Sequence, residues 1–210
     1  MNEIKQNNDF DMLKLAFPLD FEFKITTLSN DFVAKDVHGK TIAYVRQKMF
    51  RLKEAVSVFN NESRSQELFH IKADRWIDFN AHYDLINAET NESIGSLSRK
   101  GMKSLWKARY TIYDTAQQAT FEISEMNPWT KVADGVVGEI PIVSFFTGYL
   151  FHPKYGVYDQ QGNLVAQLSK LPSFWGRRFK LEEIQPMSNA AKCQIMLCMM
   201  MVVLLERERG

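Results

Sequence analysis

The segment Ile195-Met196-Leu197-Cys198-Met199-Met200-Met201-Val202-Val203-Leu204-Leu205 is eleven apolar residues without a break, and no other part of the chain constrains the fold as tightly. Ser188 is a good N-cap, so the pattern predicts a helix from Asn189 or Ala190 to about Glu206. A surface helix shows a polar stripe every three or four residues. This one has none, so it must be enclosed on all sides, by protein or by lipid. A membrane span needs about 18 or more predominantly apolar residues, whereas this run is eleven long with Lys192 and Gln194 just upstream. The length favours protein. Five methionines between Met187 and Met201 suit a helix packed on every side, because an unbranched thioether fills irregular gaps.

What encloses the helix is β structure. From Phe21 to Glu183 the chain consists of short alternating or β-branched and aromatic runs punctuated by Asn, Asp, Gly and Ser, the signature of antiparallel strands. The cleanest are Phe21–Ile25, Thr41–Arg46, Glu54–Phe59, Ala108–Tyr113, Thr120–Ser124 and Arg177–Leu181. A helix of about seventeen residues is roughly 25 Å long, and a barrel strand of about eight tilted residues is roughly 20 Å tall, so the helix can thread a barrel from end to end. Eight strands leave no room for it, whereas about eleven are known to hold a central helix, so eleven or twelve strands are expected. The fold class expected is mainly β: a closed antiparallel barrel of about twelve strands around a buried C-terminal hydrophobic helix. At 210 residues one domain is the default. Residues 1–20 are taken as an N-terminal extension and 21–210 as the barrel domain.

One pattern recurs: strand, polar turn, returning strand. Phe32 to Val45 aligns without a gap on Tyr155 to Leu168, with Asp36 to Gly39 and Asp159 to Gly162 as the turns, and Tyr83 to Lys100 is a looser third copy. Asp bonds a nearby amide and Gly supplies positive φ, so the hairpin explains Asp36 and Asp159 without a metal or catalytic role. Asn127-Pro128-Trp129 reads as N-cap and first helical residue, so a short helix is expected near 127–135, followed by a return to strand at Phe145–Phe151.

Lys plus Arg (26) nearly cancels Asp plus Glu (25), and a net charge of +1 argues against a nucleic-acid partner. Cys193 and Cys198 lie five apart in the apolar run, positions that do not bridge, and two buried thiols point to a reducing, cytoplasmic setting. Met1 to Asp11 does not read as a secretory leader. His38, His70, His82 and His152 are scattered away from metal-ligand spacing, so no metal or cofactor is expected. The hydrolase elbow, phosphate-binding loop, dinucleotide fingerprint and zinc-protease motifs are all absent, so no catalytic residue is nominated.

The paired Asp-x-x-Gly hairpins, Ile94-Gly95-Ser96-Leu97, Ala133-Asp134-Gly135 leading to Gly138-Glu139-Ile140-Pro141, and the closing apolar helix together resemble the LURP-one-related family. That family sits in the tubby C-terminal-like superfamily beside the phospholipid scramblases. The resemblance covers most of the chain from about Phe21, and its motifs are diffuse. It implies a twelve-stranded barrel around a hydrophobic helix. Tubby-like domains are associated with phosphoinositide head groups, and scramblases with lipid movement and calcium. The chain departs from the scramblases in having no acidic calcium loop, Pro-rich leader or cysteine cluster.

The hairpins end in cations, and Arg46, Lys48, Arg51, Arg99, Lys100, Lys103, Arg177 and Arg178 are the candidate ligand-binding residues, a basic rim for an anionic lipid head group or phosphate. The competing reading is a set of solvated charges that keep strands from aggregating. The expected function is a non-enzymatic binding or scaffold module with no transmembrane span. The alternatives are a structural domain with protein partners, and a membrane-associated scramblase-like lipid protein.

Overall fold

The computed structural model describes residues 15–24, 31–46, 56–74, 81–100, 109–126, 154–172 and 178–209. The helix expected near 127–135 and the strand at Phe145–Phe151 lie outside the described residues. Twelve strands follow one another: β1 (Leu19–Phe23), β2 (Phe32–Lys35), β3 (Thr41–Arg46), β4 (Val56–Phe59), β5 (Glu67–Ala73), β6 (His82–Asn87), β7 (Ser93–Lys100), β8 (Arg109–Tyr113), β9 (Ala119–Glu125), β10 (Lys154–Asp159), β11 (Leu164–Leu171) and β12 (Arg178–Glu183). Each pairs antiparallel with its sequence neighbours, and β12 returns to β1, so the sheet is a closed barrel. Closure leaves no edge for another chain to extend.

Sequence alternation decides which side chains face inward. In β1, Leu19, Phe21 and Phe23 are buried while Asp20 and Glu22 stand on the outer wall. Across the closing seam Leu19 lies opposite Leu181 and Phe21 opposite Phe179. Phe23 packs on Phe32 and Phe179 with ring centroids 5.0 and 6.3 Å apart. The barrel begins slightly earlier than Phe21: Leu15 is in the core and Phe17 packs against it.

Inside runs the helix α1 (Asn189–Arg209). Cys193 and every residue from Ile195 to Leu205 are at most 4% exposed, in one apolar cluster with the inward side chains of the strands. A helix with side chains is about 10–12 Å across, which an eight-stranded barrel cannot admit and a twelve-stranded one can. The start of α1 is fixed by Ser188, whose Oγ accepts the Ala191 amide at 3.2 Å. Glu183 ties it to β12, accepting the Met187 amide and pairing with Lys192, each at 2.9 Å.

Strand direction sorts the connections into two sets. At one end, here the turn end, lie the short links 36–40, 60–66, 88–92, 114–118, 160–163 and 184–188. The longer connections all leave from the opposite end, named the open end for contrast only, and α1 enters at the turn end and runs toward the other. Three turns share one construction. The Oδ1 of Asp36 accepts the amides of His38 and Lys40, that of Asp114 those of Ala116 and Gln118, and that of Asp159 those of Gln161 and Asn163. The fourth residue has positive φ in each: Gly39, Gln117 and Gly162. The nearest geometric copy of the two Asp-x-x-Gly hairpins is thus the Asp114 turn, while Asn87 organises the β6–β7 turn by accepting from Glu89 and Thr90.

Candidate functional site

The two ends of the barrel differ in charge. Twelve strand termini face the open end, and five are Lys or Arg (Arg46, Lys100, Arg109, Lys154, Arg178) against one acid, Glu125. At the turn end the balance reverses: Glu67, Asp159 and Glu183 against Lys35. A chain with almost no net charge therefore carries a lengthwise polarity, produced by strand direction.

Arg46, Arg99, Lys100 and Arg178 all lie at the open end, but they do not converge. Lys48, Arg51, Lys103 and Arg177 fall outside the described residues. β3, β7 and β12 are spread around the barrel with three or more strand steps between any two of them. Arg178 stands on the outer wall 3.0 Å from Glu22, which Lys35 also holds at 2.6 Å. Those two cations keep the Glu22 carboxyl below the usual range, with the Lys35 hydrogen bond as the largest cause and partial burial working against it. Arg46 is exposed on the outer wall, two residues beyond Tyr44. The Tyr44 hydroxyl donates to the buried Asp31 at 2.6 Å, and burial together with that neighbour pushes its pKa up to about 12.

The densest group of cations lies in an arc on β7, β8, β10 and β11, which carry Arg99, Lys100, Arg109, Lys154 and Lys170, with Glu125 at the end of the intervening β9. Adjacent strands are about 4.8 Å apart, so the arc spans about 19 Å. Lys100 and Arg109 are backbone register partners across the β7–β8 ladder. Among the described residues no carboxylate pairs with Arg99, Arg109, Lys154 or Lys170, whereas Lys24, Lys35, Arg178 and Lys192 each have one. Arg109 and Lys154 were not nominated from the sequence. Each opens a strand as a single cation, and only the strand order makes them neighbours of Lys100.

On the outer wall beside this arc, His82 Nδ1 lies 2.8 Å from Ser98 Oγ and its Nε2 lies 3.3 Å from Asp84. The trio has the residue types of a hydrolytic triad but sits on a flat sheet face. Ser98 is laddered on both sides, to His82 and to Thr111, so its strand amides are spent on pairing and leave no oxyanion site. Among the described residues no group of three His, Cys, Asp or Glu is placed to hold a metal, and no helix is long and apolar enough to cross a membrane.

A closed barrel of twelve antiparallel strands with an apolar C-terminal helix in its interior is the architecture of the tubby-like superfamily. Within it the chain belongs to the LURP-one-related family, whose pattern matches residues 41–205. Among solved structures, a crystal structure of a protein from Arabidopsis thaliana is similar, with 11% sequence identity, a TM-score of 0.49, and 93% of this chain and 94% of that one covered. No curated protein matches the sequence. Barrels of this family are generally non-catalytic, and membership and fold together suggest a ligand-binding domain.

Proposed function

We propose that the protein is a cytoplasmic, non-enzymatic binding module that recognises anionic phosphate, as a head group on a lipid surface or free, through the cationic arc at the open end. The observation that carries this reading is the set of cations on β7 to β11 that no described carboxylate neutralises, in a chain whose other described cations include several firmly paired ones. Arg109 and Lys154, both exposed at one end of a rigid barrel, offer an anionic surface a preorganised face, each worth about 1 kcal/mol near such a surface.

Vesicle flotation at low ionic strength tests it. The protein should float with vesicles containing phosphoinositide and stay behind with phosphatidylcholine alone, and added salt should release it. Neutralising two charges, Arg109→Gln with Lys154→Gln, removes about 2 kcal/mol of attraction, roughly thirtyfold in affinity. No flotation under any of these conditions would leave the protein-interaction reading in its place.

A further inference from the structure

We propose that Arg99 is the residue that grips the phosphate itself, as an inward-facing guanidinium at this end of the barrel suited to a terminal phosphate monoester. This inference rests on the binding reading above and divides the labour within it: the outward cations attract an anionic partner, and Arg99 recognises its phosphate.

Three observations lead there. Arg99 stands on the same side of β7 as Leu97, which is completely buried, and is registered opposite Tyr110, also completely buried, so its side chain belongs to the interior and not to the outer wall. Its Nε is buried and has no hydrogen-bond acceptor, the carbonyls of α1 among the described residues included. No carboxylate among the described residues pairs with it, in contrast to Arg178, which β12 delivers to Glu22 at the same end of the barrel. A half-buried guanidinium whose Nε is shut from water without an acceptor or counter-charge is costly, and an anion that reaches it reduces the cost.

The backbone makes the position rigid. The Arg99 amide donates to Ala81 O at 2.9 Å, and the residue is laddered to β8 on its other side. Lys170, on the same side of β11 as the buried Leu168, is a second inward cation at this end, and Glu125 of β9 lies between them in strand order. Glu125 stands on the same side of β9 as the buried Ile123, so an inward carboxylate lies between the two inward cations, and the three together keep a net positive charge that favours an anionic guest. The planar fork of Arg presents two parallel N–H donors to two phosphate oxygens, which a lysine ammonium cannot do. A phosphate monoester, dianionic and with three free oxygens, fits that demand better than a diester or a carboxylate.

The test uses the full chain and two kinds of probe. Inorganic phosphate and phenyl phosphate are titrated by calorimetry against the wild type, Arg99→Lys, Arg99→Ala and Lys40→Gln. In parallel, flotation compares vesicles carrying phosphatidic acid, a lipid monoester, with vesicles carrying phosphatidylserine at the same molar fraction. The expected result is saturable binding of the free monoester, at least tenfold weaker in Arg99→Lys, lost in Arg99→Ala, and changed less than twofold in Lys40→Gln, which removes an exposed charge at the turn end. Arg99→Lys keeps the charge and the stem, so it carries the comparison if Arg99→Ala does not fold, and a melting temperature close to wild type certifies it.

A preference for phosphatidic acid that disappears in Arg99→Lys assigns the ligand to a lipid head group. Binding of the soluble monoester without flotation supports the Arg99 site and overturns the lipid form of the proposed function. Flotation that follows surface charge alone, with no monoester binding and no response to Arg99→Lys, overturns the present inference and leaves the broader reading standing.

Discussion

Gln194, in the first turns of the enclosed helix, reaches the barrel wall at Gly95, and each residue explains the other. A register shift between Leu85 and Ile86 interrupts the β6–β7 ladder beside Gly95, and the Gln194 Nε2 donates to the Tyr113 carbonyl at 2.8 Å and the Ile94 carbonyl at 3.3 Å. A buried polar side chain of the helix thus serves acceptors that strand pairing leaves over. Gly95 has φ of +129°, and a Cβ there would collide with the Gln194 amide and stand 2.5 Å from the Tyr113 oxygen.

Gly95→Ala should therefore destabilise the fold by about 3 kcal/mol, combining overpacking with backbone strain. Gln194→Leu should cost about 1–3 kcal/mol by stranding buried carbonyls. Because the two residues share one contact, the double variant should lose less than the sum. Urea unfolding of the four proteins checks this, and strict additivity would show that the helix and wall do not meet here.

The turn at 114–118 carries its own prediction. Gln117 adopts φ of 61° in a position where the matching turns have Gly39 and Gly162. A side chain in the left-handed region costs on the order of 1 kcal/mol, more than the extra unfolded-chain freedom that Gly introduces. Gln117→Gly should raise the stability by a few tenths to about 1 kcal/mol, and Gly162→Gln should lower it by a similar amount. Thermal melts of the two variants should shift in opposite directions.

These cases mark what the sequence made legible. The helix could be read because its signal is local: eleven apolar residues leave no face for water, and enclosure follows from that alone. The hairpins at Asp36 and Asp159 were visible because Gly stands where positive φ is needed, and the Asp114 copy was not, because Gln fills that place. The site was read only in part. Arg177, Arg178 and Lys180 form a cluster along the chain, but Glu22 claims Arg178 from a strand at the other end of the sequence. Arg109 and Lys154 look unremarkable in one dimension and become neighbours of Lys100 only when strand direction is known. Which side of the wall a cation occupies, the difference between Arg99 and Arg109, is likewise fixed by alternation within a strand whose register the sequence leaves open.

The cysteines should be chemically silent while the barrel is closed. Burial pushes the Cys193 thiol up to about 12 and Cys198 further still, so neither supplies thiolate at neutral pH. Both are fully buried in α1, so a reagent reaches them only after the helix is exposed. A colorimetric disulfide reagent should report no fast-reacting thiol in the native protein and two in guanidinium, with the slow native reaction following global unfolding. Rapid labelling of either thiol under native conditions would mean that the helix leaves the barrel without unfolding it.

Glu22, between Lys35 and Arg178, should give the fold an acid-sensitive component. Its folded pKa is lowered, chiefly by the hydrogen bond from Lys35, then by the charges of both cations against the opposing effect of burial. A carboxylate with a depressed folded pKa contributes stability above its unfolded value, about 4.3, and loses it as pH falls through the folded value. The three side chains are between 29% and 46% exposed, so solvent screening keeps the contribution small, at most about 1 kcal/mol. Glu22→Gln should lower the urea midpoint modestly at pH 7, and the gap to wild type should narrow as pH drops below 4 and close once Glu22 is protonated in both states. A gap that stays constant down to pH 2 would show that Glu22 acts through packing of the β12–β1–β2 wall and not through its charge.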